Sequence, residues 1–253
     1  MKRYLIFLLA VITYCTVANA QDIDQRRVRF SIKAGLNVSG FTNDVGVFDR
    51  NSPGYATGPY AGAQNYARLT CLFGVTADYP ISDKLTIATE FLYNGRGGAY
   101  HMENPNVYDT DEYGNAVTAY DTYNFQIDYI EVPLLLQYKL STDHDNATYL
   151  LYGGIAPAMV VKSRTNYNYY TGTGNTGNAA SASEKGVLYH VNNWNISPLA
   201  GLKTAWNHDA PRMPFLDIRL EYAASPVFNR SESNGYNLQT GMWTLAIGAG
   251  LRF

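Results

Sequence analysis

Residues 243–253 read WTLAIGAGLRF, and the reading of this stretch decides the fold. Its alternate residues Trp243, Leu245, Ile247, Ala249, Leu251 and Phe253 are all apolar. Strict alternation over such a run is the period of a β-strand with two unlike faces. Chain ends are ordinarily polar and loose, whereas this one carries Phe and looks fastened into something apolar. The opposite face is Met242, Thr244, Ala246, Gly248, Gly250 and Arg252, small and with one charge. A soluble barrel would turn its apolar face inward and need a charged exterior. This second face is too small and too poorly charged for that, and it suits a narrow lumen behind a lipid-facing wall.

The composition agrees. Charged residues make up 16% of the chain, against about 25% in soluble domains, while Tyr and Gly each number 22. Lys2 and Arg3, the apolar run Leu5 to Val11 and the small-residue site Ala18-Asn19-Ala20 predict a cleaved signal peptide over 1–20. Tyr14 before Cys15 argues against a lipoprotein signal. Residues 21–253 then form a single domain with Cys71 as its one cysteine, so no intramolecular disulfide is possible. Beyond the signal no stretch reaches the ~18 apolar residues of a membrane helix. An exported chain of this kind points to transmembrane β-structure.

Working back from the last strand, period-2 stretches recur at 29–41, 67–80, 85–98, 123–140, 148–164, 194–206, 215–227 and 241–253. Each is long enough to cross a bilayer at a tilt, which takes ~9–11 residues. The connections alternate strictly. Long ones are 42–66, 99–122, 165–193 and 228–240; short ones are 81–84, 141–147 and 207–214. This predicts an all-β fold, an eight-stranded antiparallel up-and-down transmembrane barrel with long extracellular loops and short periplasmic turns. Pro133 and Pro198 fall inside strands, where the missing donor favours a bulge, so a local bend is expected at each. Both faces of 148–164 are apolar, and its orientation stays open.

Four stretches, FSIKAGLNVSGF (30–41), YIEVPLLLQYKL (129–140), LYGGIAPAMV (151–160) and the closing GAGLRF, resemble the outer-membrane β-barrel family common in Bacteroidetes, the PorT-like or "porin family" barrels of OmpA/OmpX-like eight-stranded architecture. The resemblance spans nearly all of residues 21–253. It implies residence in the cell outer membrane, and a terminal signal, Trp243, Leu251 and Phe253, read by the barrel-assembly machinery. The family's usual Tyr-x-Phe ending is here Leu251-Arg252-Phe253. The family name does not establish a pore.

Alternation places Lys33, Arg68, Asp78, Glu90, Glu131, Lys139, Lys203, Asp217, Arg219, Glu221 and Arg252 on the inward face, six basic and five acidic groups. Eight strands leave an interior that side chains just fill, and buried charges must pair. The expectation is an ion-pair network that plugs the lumen; the alternative is a narrow conduction path. Segments 99–122 and 165–193 are rich in Tyr, Asn, Gly, Ser and Thr, the composition of adaptable binding surfaces. Tyr108, Tyr113, Tyr167, Tyr169 and Tyr170 are the candidate contacts, while Tyr100 and Tyr123 read as outer girdle.

Asp109, Asp111 and Gly114 sit at positions 1, 3 and 6 of a calcium-loop pattern, but Tyr113 and Tyr120 stand at positions 5 and 12, where ligands belong. His101, His144, His190 and His208 lack metal spacing. His190 near Ser181 and Ser183 lacks an orienting carboxylate, so no catalytic site, metal or cofactor is expected. The sequons at Asn37, Asn146 and Asn195 carry no weight in a bacterial barrel. The expected function is a non-enzymatic structural or surface-interaction barrel. The alternatives are a small-solute channel and a PorT-like accessory in protein export. Expected partners are outer-membrane lipid, the assembly machinery and an extracellular or export partner; nucleic acid is not among them, since no basic cluster exists.

Overall fold

The fold is that of a computed structural model, which describes residues 27–42, 63–140, 147–171, 180–188, 191–206, 212–228 and 240–253. The expected signal segment, His144, His190, His208, Asn146 and most of 42–66 and 228–240 lie outside them. The elements are β1 (Arg29–Phe41), β2 (Gln64–Tyr66), β3 (Arg68–Pro80), β4 (Leu85–Thr110), β5 (Ala116–Glu131), β6 (Leu134–Lys139), β7 (Ala147–Thr171), β8 (Ala180–Val187), β9 (Trp194–Trp206), β10 (Met213–Tyr222) and β11 (Met242–Arg252). All pairings are antiparallel.

The ring closes on itself, with β5 and β6 sharing one position. Starting at Arg29 and stepping across the sheet, the partners are Asp78, Ala88, Leu135, Gly154, Leu199, Glu221 and Thr244, and the walk returns to β1 at Ser39. The return falls ten residues along β1 from the start. That stagger tilts the strands, and because it is even, each residue that faces inward on leaving β1 still faces inward on return. Closure also answers the terminal strand. Trp243 to Leu251 pair with β1, and Phe253 N–H donates to Phe30 at 2.8 Å, so no edge is left open there.

The two faces separate as alternation requires. Phe30, Ile32, Leu36, Leu69, Phe73, Phe91, Leu136, Ile218, Leu220 and Ile247 stand outward and exposed, a band that only lipid can cover. Trp194, Tyr222 and Trp243 edge the band toward the long connections; Tyr79, Tyr138, Tyr149 and Phe253 edge it toward the short turns. The register settles 148–164. Thr148, Leu150, Tyr152, Ala156 and Ala158 are buried inside, while Tyr149, Leu151, Ile155, Met159 and Val161 face out. Both faces read as apolar because Tyr152 and Ala156 pack within the lumen against Ala88, Leu135 and Leu199.

Two expectations need correction. The described parts of segments 99–122 and 165–193 are mostly strand, not irregular loop. Strands β4 and β5 continue as a hairpin to a turn at Asp111–Asn115, and β7 continues to Thr171 with β8 beside it. Alternating Tyr, Thr and Val favour strands there, but outside the membrane neither face need be apolar, so the signal in hydropathy is lost. Pro198 makes no bend, since the register with β7 runs unbroken through Ile155↔Pro198. Ile196 accepts from Ala224 N–H on the β10 side, and two residues on, the bare nitrogen of Pro198 faces that side too. It lies opposite Tyr222, one residue past the last β9–β10 pair, Leu199↔Glu221, so the missing donor costs a bond on that side without shifting the register. At Pro133 the strand is interrupted between Glu131 and Leu134, yet the register on both sides is kept.

Candidate functional site

The lumen is filled in layers. At its middle, Lys33 Nζ lies 2.8 Å from Glu90 Oε1 and 3.0 Å from Asp217 Oδ2. Arg219 pairs with the other Glu90 oxygen at 2.5 Å. Tyr152 O–H donates to Asp217 Oδ1 at 2.6 Å and accepts from Arg219 Nε at 3.2 Å. These groups come from β1, β4, β7 and β10, so the cluster ties opposite walls together. Lys203 adds its field to both carboxylates and stands 5.1 Å from the centre of the Phe215 ring.

A second cluster sits nearer the hairpins. Arg96 pairs with both Glu131 and Glu221, and its guanidinium lies 5.4 Å from the Tyr129 ring centre. Asn94 Nδ2 donates to Glu131 Oε2 at 2.9 Å, and Asn37 Nδ2 donates to Asn94 Oδ1. The middle cluster holds three cations against two carboxylates, and this one holds one cation against two carboxylates. Their excesses cancel, as a dry interior demands. Arg96 is fully buried. Alternation from Glu90 would have found it, but its setting, Gly95-Arg96-Gly97-Gly98, reads as a strand coming to an end.

Each mouth is closed differently. Toward the hairpins, Phe41, Tyr100, Met102, Phe125, Ile127, Phe228 and Met242 form an apolar plug above the charges. Toward the short turns, Asp78 accepts from Gln137 Nε2 at 3.2 Å, Arg252 reaches Met213 Sδ, and a cavity of about 10 Å³ remains among Ser31, Asp78, Lys203 and Phe215. That is room for about one water. Lys139 is half-buried at the same end. Arg68 does not join the lumen. Its Nη2 donates at 2.7 Å to Gln126, whose residue faces outward, because the β3–β4 ladder ends at Leu72 and lets the side chain through the wall.

Beyond the membrane, the hairpins present aromatic groups. Tyr123, Tyr167 and Tyr169 stack with ring centres 4.1 and 4.7 Å apart. Tyr167 O–H donates to Asp121 at 2.9 Å, and Tyr169 O–H donates to Glu184 at 3.0 Å, which raises the Tyr169 pKa. Tyr170 is half-buried, Tyr108 exposed, and Tyr113 the most exposed, at the tip. Tyr100, read as girdle, is instead fully buried in the apolar plug. The Asp111 carboxylate accepts from Tyr113 N–H at 2.9 Å, and from Asn115 N–H at 2.7 Å and Nδ2 at 3.0 Å. It is committed to its own turn. The Asp109 side chain lies outside the described residues. Among those residues no group of three or more His, Cys, Asp or Glu could hold a metal. Ser181 and Ser183 lie on β8, and Trp243, Leu251 and Phe253 line the outer face of β11 and the residue after it.

Comparison with known proteins bears on this architecture. A family model described as an outer membrane protein beta-barrel domain matches residues 19–253. No curated protein matches the chain. Among solved structures, the chain is similar to OprG from Pseudomonas aeruginosa at 13% identity and TM-score 0.38, over 92% of this chain and 99% of that one. It is similar to Ail from Yersinia pestis, solved with the heparin analogue sucrose octasulfate, at 13% identity and TM-score 0.37, over 89% and 99%. Neisserial surface protein A follows at 12% identity and TM-score 0.35, over 88% and 95%.

Proposed function

The chain belongs to the outer membrane protein beta-barrel domain family and is an outer-membrane protein; from that premise we propose that it is a non-enzymatic surface-interaction barrel. The lumen serves as a rigid plug and the hairpins as the working surface. One observation carries the reading: the interior charges are spent on one another. Lys33, Glu90, Asp217 and Arg219 bridge the walls, and Arg96 holds two carboxylates. A small-solute channel would need these groups to line a water column. With the plug at one mouth and the Arg252 region at the other, the filled interior weighs against that reading.

The hairpins fit the interaction role. Stacked tyrosines offer rigid contact area at low entropic cost, and neighbouring Asn, Ser and Thr offer adaptable hydrogen bonds. The resemblance to PorT-like barrels would narrow the role to an accessory of protein export, with its partner on the same hairpins or on the short turns. A partner on the hairpins is tested by cross-linking on intact cells. Cells displaying the full chain are compared with cells displaying a chain that lacks 104–118 but still shows heat-modifiable gel mobility. The proposal expects a cross-linked species that disappears with the hairpin tip. Identical cross-linking patterns, or loss of nothing at the cell surface, would overturn it.

A further inference from the structure

Among the described residues, the wall opens between β3 and β4. The β3–β4 ladder runs from Pro80↔Thr86 to Leu72↔Asn94 and stops, although both strands continue. Pairing resumes only where β2 meets β4 at Tyr66↔Ala99. In between, β4 leans into the barrel. Gly97 N–H donates to Ser39 Oγ at 2.9 Å, Ser39 donates back to Gly97 O at 3.0 Å, and Asn37 Nδ2 donates to Gly95 O at 3.1 Å. These partners sit on β1, the far side of β3, so lumen side chains replace the missing ladder. Glycine permits the lean, since a Cβ on Gly97 would fall 1.9 Å from Phe125 O and one on Gly98 2.7 Å from the Phe41 ring.

The lean leaves a groove of about 440 Å³ on the outer face, within the range of small-molecule sites. Its two ends differ in chemistry. Leu36, Leu69 and Cys71 give an apolar end that continues the lipid-facing band. Arg68, Gln126, Asp128 and Arg164 give a polar end at the hairpin side of that band. Arg68 donates to Gln126, which donates to Asp128 Oδ1 at 2.8 Å, and the Tyr93 hydroxyl bonds Asp128 as well. Lys162 stands across the ladder from Asp128 and is exposed. Two cations, Arg68 and Arg164, therefore line the groove beside one carboxylate that neutral donors already serve. Behind the groove the lumen is filled by the Arg96 cluster, so the site is blind.

The geometry points to a lateral binding site for a lipid with an anionic phosphomonoester headgroup, seated in the wall at the outer leaflet. The phosphate meets Arg68 and Arg164, and an acyl chain lies along Leu36, Leu69 and Cys71. A lipid, and not a free anion, fits because the groove opens toward hydrocarbon, where a stretch of wall with an interrupted ladder must be covered. Charge-assisted pairing with guanidinium favours phosphate.

The test uses the chain refolded in neutral detergent and examined by native mass spectrometry. Dioleoyl phosphatidic acid, dioleoyl phosphatidylcholine and inorganic phosphate are added in turn. One phosphatidic acid should be retained at least tenfold more readily than phosphatidylcholine, and millimolar inorganic phosphate should not displace it. The double variant Arg68→Gln/Arg164→Gln should lose the preference. Gly95→Leu supplies an independent check and decides the matter if the double variant fails to fold. A Cβ there meets Cys71, Thr70 and Asp128 at ordinary contact, 3.4–3.5 Å, and the side chain fills the groove while leaving Arg68 and Arg164 in place. Equal retention of both lipids, or unchanged retention by Gly95→Leu, would overturn the proposal, as would displacement by phosphate alone.

Discussion

Arg96 is the residue on which most depends. It is buried with two carboxylates and a tyrosine ring, and its removal would leave Glu131 and Glu221 facing each other without a counter-charge. Breaking such a pair costs about 3–5 kcal/mol. Arg96→Met should lower the unfolding free energy in lipid vesicles by that amount, followed by Trp fluorescence in urea. Lys33→Met should cost less, since Arg219 remains beside Glu90 and Asp217. Equal, small effects would show that the clusters are not coupled as described. The glycines divide in the same way. Gly97 (φ 148°) has no room for a side chain, whereas Gly114 (φ 82°) has nothing within 4 Å. Gly97→Ala should prevent heat-modifiable folding, and Gly114→Ala should cost only the ~1–2 kcal/mol of a left-handed residue. Alternation made the inward charges legible in the sequence but misplaced Arg68. No periodicity reveals that a ladder stops at Leu72 and frees a side chain to turn outward.

Among the elements, the β4–β5 hairpin departs furthest from the sequence reading. Its Tyr, Thr and Val favour strand, but its polar composition reads as loop, and only a membrane imposes the contrast between faces that hydropathy detects. Its turn is held by one carboxylate. Hydrogen bonds from the Asn115 side chain and backbone, and from Tyr113, keep the Asp111 pKa below the usual carboxylate range. A lowered folded value means that the turn's support is complete above the unfolded pKa and fades as pH falls through the folded one. Backbone order parameters for Tyr113–Asn115 should therefore fall on acidification below about pH 4, and should be low at neutral pH in Asp111→Ala. Order that is unchanged down to pH 2 would contradict this role. Toward the short turns the periodicity locates the strand ends within about two residues, because each strand must show lipid an apolar face there. The failed bend at Pro198 follows from a fact no single strand reveals: both neighbouring strands keep their register with β9 on either side of the missing donor.

At the scale of the whole molecule, the closed ring follows from a rule that the sequence displays openly. Long and short connections alternate, the last strand repeats the apolar alternation of the others, and hydrocarbon tolerates no open edge. What stayed hidden was how the interior is closed. The apolar plug draws Phe41, Tyr100, Phe125 and Phe228 from four distant segments, and their meeting depends on the tilt of the strands. The most direct test of a closed lumen is single-channel conductance of the refolded chain in a planar bilayer, with folding shown by heat-modifiable mobility. A plugged barrel predicts a silent bilayer for the unaltered chain. Steady, ion-selective openings that disappear when Arg219 or Glu131 is altered would contradict it and make the lumen charges the lining of a channel.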